Sequence, residues 1–442
     1  MRLPSSFLAS WILIAACDGS PPADDAGTAT DPDAHQVRDA FVDPSVDAFR
    51  DPRSDAGVDP AADAFVAAEL DAFVLPGLDA FVAPGLDAFV VTDAFAAPAP
   101  AFETVFSHRA DDDARSTAVE DRIVSLIDGA VPGSRIRVAI YSFTRGAPSD
   151  ALVRAAGRGV DVRIVLDGDA DGLFGSEVDT LIDGLGAANV HVCDAPGSAC
   201  VGSGIMHHKT FLFSELSDGS RNVVLQASHN LTTTQLSMHN NAVIIRGDAT
   251  LFAAYERTWT DLFADVEMPD YYRIDDGDLA TRVYFFPRPT GGDTSVSILD
   301  NVVCDGTARI RVAMAFFTNA RREVADALAA RAREGCDVRV VAGDAEIPLG
   351  STVASTLTGA GVQLTRYPER GGGWSLHSKY MLIDARYADS AAHRRLVFTG
   401  SHNWTGPALT ENDETQLRVE DDAVFDAFMA DWEHVRASAV RP

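Results

Sequence analysis

The feature that most constrains the fold is an internal duplication within residues 103–442. Two pairs of apolar segments match between the copies: 136–144 (IRVAIYSFT) with 310–318 (IRVAMAFFT), and 159–165 (GVDVRIV) with 335–341 (GCDVRVV). Between the matched segments, residues 150–158 and 321–334 carry Ala and Leu at helical spacing. Strand, helix and strand in succession predict an α/β sheet. We therefore expect two α/β sandwich halves related by a pseudo-twofold axis.

The N-terminus has the pattern of a secretory signal. A positive start at Arg2 is followed by an apolar run from Phe7 to Ala16, too short to span a membrane comfortably. The sequence IAAC, which ends at Cys17, resembles the lipobox of bacterial lipoproteins. This resemblance implies lipidation at Cys17 and an exported chain anchored to the bacterial cell envelope, in the periplasm or on the outer surface. The alternative is a plain signal-peptidase site with an incidental cysteine.

Residues 18–102 repeat with a period of eight around the sequence DAFV, with Pro and Gly between copies. The repeat has neither a helical stripe nor uninterrupted strand alternation, and it predicts a disordered linker. A small β-solenoid or a binding repeat is the alternative. We divide the chain into four segments: a signal peptide at 1–17, the repeat linker at 18–102, a first half at 103–266 and a second half at 267–442. Proline-rich residues 267–292 are expected to act as the hinge.

The duplication carries a pattern of polar residues that suggests phosphodiester chemistry. Each copy has His-x-Lys followed by Ser-x-Asn: His207, Lys209, Ser228 and Asn230 in the first, and His377, Lys379, Ser401 and Asn403 in the second. One imidazole can attack phosphorus while the other protonates the leaving oxygen, and two ammonium groups can hold the phosphate oxygens. Residues two apart on a strand share a face, so both pairs can meet on one phosphate.

These motifs resemble the phospholipase D superfamily, whose signature is His-x-Lys-x4-Asp followed by Gly-Ser-x-Asn. The second copy fits fully, with Asp384 and Gly400, whereas the first has Ser214 and Ala227 at these positions. The resemblance implies a metal-free mechanism in which one histidine forms a phosphohistidine and the other acts as acid and then as base. We interpret Asp384 as structural, because an odd spacing from the lysine turns its side chain to the opposite strand face.

A difference between the copies suggests which histidine attacks. Glu414 follows Asn403 by eleven residues, and Asn241 is the eleventh residue after Asn230. We expect Glu414 behind His377 and Asn241 behind His207. A carboxylate favours imidazolium and suits the acid, so this pairing predicts that His207 is the nucleophile.

After Cys17, four cysteines remain in a chain expected to be exported, so disulfides are plausible. They are Cys193, Cys200, Cys304 and Cys336. Three pairings are open, and we favour Cys193–Cys200 with Cys304–Cys336. No cysteine spacing is typical of zinc, and neither is the spacing of the additional histidines, which are His208, His229, His239 and His402. We predict no metal and no cofactor.

The net charge of −29 includes −16 within residues 103–442. Such an acidic region disfavours nucleic acid as a partner, because phosphate recognition depends on cationic contacts. We therefore predict a monomeric phospholipase D that hydrolyses phospholipid headgroups. The alternatives are an exported endonuclease of the same superfamily, a phosphatidyl transferase such as a cardiolipin-type synthase, and a non-catalytic binding protein.

Overall fold

The computed structural model describes residues 101–109, 114–168, 176–193, 197–345, 347–368, 374–388 and 390–440. Cys17, the signal sequence and the eight-residue repeats lie outside these residues. The predictions of lipidation, of an envelope location and of a disordered linker therefore stay predictions.

The first half forms a mixed sheet. Its strands are β1 (Phe102–Ser107), β2 (Arg135–Ile140), β3 (Asp161–Leu166), β4 (Val190–Val192), β5 (Lys209–Glu215), β6 (Arg221–Ala227) and β7 (Met238–Ile245). Their order is β1-β7-β6-β5-β2-β3-β4. The β2–β3 and β3–β4 pairs are parallel, whereas β5, β6, β7 and β1 pair antiparallel along the rest of the sheet. The matched apolar segments of the duplication supply β2 and β3.

The second half forms an equivalent sheet with additional strands. Its strands are β8 (Arg273–Asp276), β9 (Thr281–Phe286), β10 (Val302–Val303), β11 (Arg309–Met314), β12 (Asp337–Asp344), β13 (Gln363–Pro368), β14 (Ser375–Leu376), β15 (Lys379–Tyr387), β16 (His393–Gly400) and β17 (Glu414–Glu420). The order is β13-β12-β11-β15-β16-β17-β9-β8, with β10 beside β15. The segment 267–292 is thus not simply the hinge that its prolines suggested. Val283 and Phe285 are buried core residues, and this burial makes β9 a strand beside β17.

Helices cover both sheets. They are α1 (Ala118–Gly129), α2 (Gly146–Gly157), α3 (Ser176–Leu185), α4 (Ala249–Ala264), α5 (Thr294–Asp300), α6 (Arg322–Arg333), α7 (Ser351–Gly359), α8 (Gly406–Thr410) and α9 (Asp422–Ala439). Helices α1 and α2 contribute to a core with the first sheet, and α5, α6 and α7 to a core with the second. The other faces of both sheets share one central core with α4 and α9. The two halves are therefore packed together through apolar contacts.

The pseudo-twofold relation extends to single hydrogen bonds. Trp259 of α4 donates its indole N–H to the carbonyl of Val138 at 2.8 Å, and Trp432 of α9 donates to Val312 at the same distance. Each helix begins with an aspartate whose side chain accepts a backbone N–H of the first turn. These corresponding anchors fix both helices against corresponding strands, β2 and β11.

One short strand crosses between the halves. Strand β14 belongs to the second half by sequence but pairs in parallel with β7 of the first sheet, with Ser375 opposite Met238 and Leu376 opposite His239. The backbone N–H of His377 also donates to the carbonyl of His239 at 3.0 Å. The start of the second His-x-Lys motif is therefore held by the first sheet.

Two disulfides are formed, Cys193–Cys200 and Cys304–Cys336, which is the pairing that the sequence favoured. Within the described residues, no helix combines the length and the apolar character needed to cross a membrane.

Candidate active site

The two His-x-Lys motifs occupy equivalent strand starts. Lys209 is the first residue of β5 and pairs with Ile140 of β2, and Lys379 is the first residue of β15 and pairs with Met314 of β11. Each histidine lies two residues before its lysine, and all four side chains are buried. Each lysine Nζ donates to the carbonyl of its own motif's histidine at 2.6 Å. This contact fixes the ammonium group beside the imidazole that precedes it.

The two Ser-x-Asn motifs follow β6 and β16, the strands beside β5 and β15. Ser228, Asn230, Ser401 and Asn403 are all buried. Within the part of the chain that the structure describes, Oδ1 of both asparagines has no hydrogen-bond partner. An unsatisfied buried amide oxygen is costly unless a ligand or water completes it. Both asparagines are therefore suited to contact a bound group.

Each catalytic candidate histidine is backed by a residue of the opposite half. His207 Nδ1 lies 2.8 Å from Oε1 of Glu414 at the start of β17, and His377 Nδ1 lies 3.0 Å from Oδ1 of Asn240 in β7. The backbone N–H of His207 also donates to the carbonyl of Asp413 at 2.9 Å. These crossed contacts bring both motifs into one site between the halves.

The expected pairing of Glu414 with His377 and of Asn241 with His207 is wrong. Ser228 corresponds to Ser401, but its hydroxyl donates to the side chain of Asn240 rather than to that of Asn241. The spacing from the motif asparagine to the residue behind the histidine is one residue shorter in the first copy, and a shift of one residue turns a side chain to the other face of a strand. Asn241 accordingly donates through Nδ2 to Oγ1 of Thr399 at 2.7 Å. The carboxylate thus lies behind His207, and its position does not mark His377 as the acid.

The two serines hold the groups behind the histidines. Ser401 Oγ donates to Oε2 of Glu414 and accepts the backbone N–H of Thr415 at 3.0 Å. Ser228 Oγ donates to Oδ1 of Asn240 at 3.0 Å and accepts the N–H of Asn241 at 3.0 Å. In both halves, the serine orients the residue that orients the other half's histidine.

Burial and charge shape the protonation of this site. Burial, together with Lys209 and Lys379, lowers the pKa of His207 well below its ordinary value, and burial and the same two lysines lower the pKa of His377. Burial raises the pKa of Glu414 to about 8, against the opposing effect of Lys209. The site therefore favours neutral imidazoles before substrate binds, and an incoming phosphate would supply the missing negative charge.

The departures from the family signature have local replacements. Asp384 accepts hydrogen bonds from Arg309 at 2.5 Å and from His393 at 3.0 Å, on the strand face opposite Lys379. Ser214, its counterpart, accepts the backbone N–H of Arg135 at 2.9 Å instead. Both residues contact the strand beside them (β2 or β11), and neither hydrogen-bonds a motif histidine.

The residue before the Ser-x-Asn motif must be glycine only in the second half. Gly400 has φ of 151°, and a Cβ there would lie 2.1 Å from the carbonyl oxygen of Thr415. Ala227 stands at the corresponding position at the end of β6, where it is fully buried in the first-half core. The local path of the chain therefore differs between the copies just before the two serines.

Three residues near the site were missed from the sequence. Asn240 was missed because we assumed the same spacing after Ser-x-Asn in both copies. Asp413 accepts the backbone N–H groups of Cys200 and Gly202, at 2.8 and 2.6 Å, and thus ties the second half to the segment that leads to His207. Tyr141 lies edge-on to His207, with ring centroids 5.1 Å apart. Only the position of Tyr141 beside the duplicated strand could have indicated it, because Ala315 replaces it in the second copy.

The additional histidines are not gathered as metal ligands. His208, His229, His239 and His402 are buried. His402 stacks on Phe286 with centroids 4.2 Å apart, and His239 lies 3.0 Å from the Tyr367 hydroxyl. Among the described residues, the group with donor atoms close enough for a metal is elsewhere and comprises His191, Cys193, Cys200 and Asp265.

Two α/β halves with crossed His-x-Lys and Ser-x-Asn motifs define a phospholipase D-like protein. A family model described as "Cardiolipin synthase, PLD-like domain" matches residues 123–262 and 305–436, more than half of the chain. The chain therefore belongs to this phospholipase D-like family, whose members are phosphodiesterases and phosphotransferases.

Individual proteins with similar sequences or structures are consistent with this family. The human mitochondrial cardiolipin hydrolase is 27% identical over 128 residues, which are 29% of this chain and 46% of that protein. This chain thus matches about half the length of that relative. The structure of phosphatidylserine synthase from Haemophilus influenzae Rd KW20 aligns with a TM-score of 0.53 at 14% identity, over 76% of this chain and 86% of that one. The polyphosphate kinase from Porphyromonas gingivalis aligns with a TM-score of 0.50 at 14% identity, over 74% and 49%. Identities this low show the fold alone.

Proposed function

We propose that the chain is a phospholipase D-type phosphodiesterase that hydrolyses the headgroup ester of a phospholipid through a phosphohistidine, without a metal ion. The observation that carries this proposal is the pair of buried histidines, His207 and His377, each backed by the opposite half. Lys209 and Lys379 supply the positive charge that the phosphate oxygens require.

His207 is proposed as the nucleophile, for a reason that differs from the sequence argument. If its Nδ1–H donates to ionised Glu414, Nε2 keeps the lone pair that attacks phosphorus. The ring of the resulting phosphohistidine is positively charged, and the carboxylate stabilises that charge. His377, with the neutral amide of Asn240 behind it, has no carboxylate to raise its pKa and so remains a stronger acid.

The proposed reaction has two steps. His207 Nε2 forms a bond to phosphorus while the bond from phosphorus to the leaving oxygen breaks, and His377 gives its Nε2 proton to that oxygen. Water then attacks phosphorus and gives a proton to His377, and the bond between phosphorus and nitrogen breaks. We expect Asn230 and Asn403 to donate their amide N–H groups to the phosphate oxygens during both steps.

A lipid substrate is supported by the surroundings of the site. Met238, Phe316 and Leu376 lie beside His377, which makes its surroundings partly apolar. The charge of −16 over residues 103–442 opposes a polyanion such as DNA. The similarity to a protein named cardiolipin hydrolase is consistent with this substrate class.

The test uses the purified 442-residue chain with EDTA present. It is given vesicles of phosphatidylcholine, vesicles of cardiolipin and single-stranded DNA, and released headgroup and cut DNA are measured. We expect headgroup release that EDTA does not prevent, and a loss of orders of magnitude in both His207→Ala and His377→Ala. A phosphorylated peptide containing His207 is expected after acid-free quenching. DNA cleavage without headgroup release would contradict the lipid assignment, and a phosphopeptide containing His377 would reverse the histidine roles.

A further inference from the structure

We propose that His191, Cys193, Cys200 and Asp265 form a Zn²⁺ site when the Cys193–Cys200 disulfide is reduced. One potential ligand atom from each residue lies within 4.8 Å of every other. Four ligands around tetrahedral zinc, at about 2.0 Å for nitrogen or oxygen and about 2.3 Å for sulfur, lie roughly 3.3–3.8 Å apart. Reduction of the disulfide frees the two sulfurs to move apart to this separation.

The two non-sulfur donors lie close together. His191 Nε2 lies 3.1 Å from Oδ2 of Asp265, yet this buried nitrogen makes no hydrogen bond within the described part of the chain. An imidazole nitrogen and a carboxylate oxygen therefore lie side by side, as two ligands of one metal ion do. Cys193 directly follows β4, Cys200 lies in the segment before His207, and their sulfurs are within the same 4.8 Å group.

The environment favours a bound cation. Asp265 is the C-cap of the 16-residue helix α4 and adopts a left-handed conformation, with φ of 51°. The C-terminal end of a helix carries partial negative charge and stabilises a nearby cation. Cys193 and Cys200 are fully buried in the central core, and the Phe263 ring lies 5.6 Å from that of His191. This apolar surrounding limits water access and strengthens metal–thiolate bonding.

Opening the Cys193–Cys200 disulfide requires an external dithiol reductant. The dithiol gives two electrons and two protons to the disulfide and leaves as its own cyclic disulfide. Zn²⁺ then displaces the two thiol protons and binds two thiolates, the neutral His191 imidazole and the Asp265 carboxylate. The loaded group carries one net negative charge. Under oxidising conditions the same residues hold the disulfide instead, so the redox state selects between a covalent link and a metal link.

The second disulfide provides a matched control. Cys304–Cys336 closes a longer loop, and the Sγ of Cys304 lies 3.2 Å from a backbone carbonyl of Arg331. Within the described residues, no histidine or carboxylate group for a metal accompanies these sulfurs. Opening this disulfide should therefore create thiols but no zinc site.

The experiment treats the full chain with dithiothreitol, removes the reductant without oxygen, counts free thiols and titrates Co²⁺ and Zn²⁺. We expect the intense thiolate-to-cobalt absorption of a tetrahedral site, displaced by one zinc ion per chain, and no metal uptake by the oxidised protein. His191→Ala and Asp265→Ala keep both disulfides and should weaken binding by at least about 100-fold. The double variant Cys304→Ser, Cys336→Ser should bind cobalt as the unaltered chain does.

Several results would overturn the site. These are a Cys193–Cys200 bond that stays closed in the folded protein under dithiothreitol, opened thiols that give no cobalt spectrum, and a spectrum that is undiminished in both His191→Ala and Asp265→Ala. Loss of binding in the Cys304→Ser, Cys336→Ser variant alone would place the metal at the other cysteine pair and equally refute the proposal. Circular dichroism of each variant separates loss of a ligand from loss of the fold.

Discussion

At the scale of single residues, the inequality between Glu414 and Asn240 divides an otherwise symmetric site. Both lie behind a histidine of the opposite half, and both are held by a motif serine. One can be ionised and the other cannot. The two histidines, which are chemically identical in sequence, therefore differ in the charge that their surroundings can stabilise.

The pH dependence of the reaction should report Glu414. Burial raises the pKa of Glu414 to about 8, so the carboxylate is mostly protonated below this pH and ionised above it. Attack by His207 needs the ionised form, so the ionisation of Glu414 should contribute a rising limb centred near pH 8 to kcat/KM for headgroup release. Glu414→Gln should lose this rising limb and reduce kcat by about 100-fold.

Glu414→Asp is the conservative control for this profile, because it keeps a carboxylate near His207. It should retain a rising limb even if its rate is lower. An unchanged limb in Glu414→Gln would assign the titration to another group and would remove the proposed role of the carboxylate.

At the scale of secondary-structure elements, strand alternation explains both the success and the failure of sequence reasoning. Matched apolar segments predicted β2, β3, β11 and β12, and the helical spacing of 321–334 corresponds to α6 at Arg322–Arg333. The pairing behind the histidines could not be predicted, because it depends on contacts across the two halves and on a one-residue difference in the spacing from the motif asparagine to the backing residue. The run Tyr284-Phe285-Phe286 was interpreted as a buried strand, and β9 confirms this. Strand β14 was missed, because pairing across the halves leaves no local pattern.

The cluster of Asp305, Asp384 and His393 near β15 and β16 should make the stability of the protein depend on pH. Hydrogen bonds that His393 donates to Asp305 and Asp384 raise the pKa of His393 above its ordinary 6.5. Burial alone would raise the pKa of Asp384, but hydrogen bonds from His393 and Arg309 lower it below 3.8. The contribution of His393 is present below pH 6.5 and is lost as pH rises through its folded pKa. That of Asp384 is present above pH 3.8 and is lost as pH falls through its folded pKa.

His393→Gln should therefore lower the free energy of unfolding by about 0.5–1 kcal/mol between pH 4 and 6.5, and by less at pH 9. Urea unfolding at both pH values measures this difference. Headgroup release should be unaffected, because His393 begins β16 and Ser401 follows the opposite end of this strand. A larger effect at pH 9 than at pH 5 would contradict the sign of the argument.

At the scale of the whole molecule, both halves of the site come from one chain. Equal amounts of purified His207→Ala and His377→Ala protein should remain inactive when mixed, because neither chain contains both histidines. Headgroup release by the mixture is the measurement, with size-exclusion chromatography to record the oligomeric state. Recovery of a substantial fraction of the unaltered activity would show that chains exchange halves and would contradict a site built within one chain.

The crossed contacts of Glu414 and Asn240 also bear on how such a protein can diverge. A homodimer of one half would present the same residue behind both of its histidines, whatever that residue was. Only a fused chain can carry an acid at one position and an amide at its symmetry mate, because each copy then mutates separately. Joining the copies in one polypeptide therefore permits a division of labour that symmetric assembly forbids.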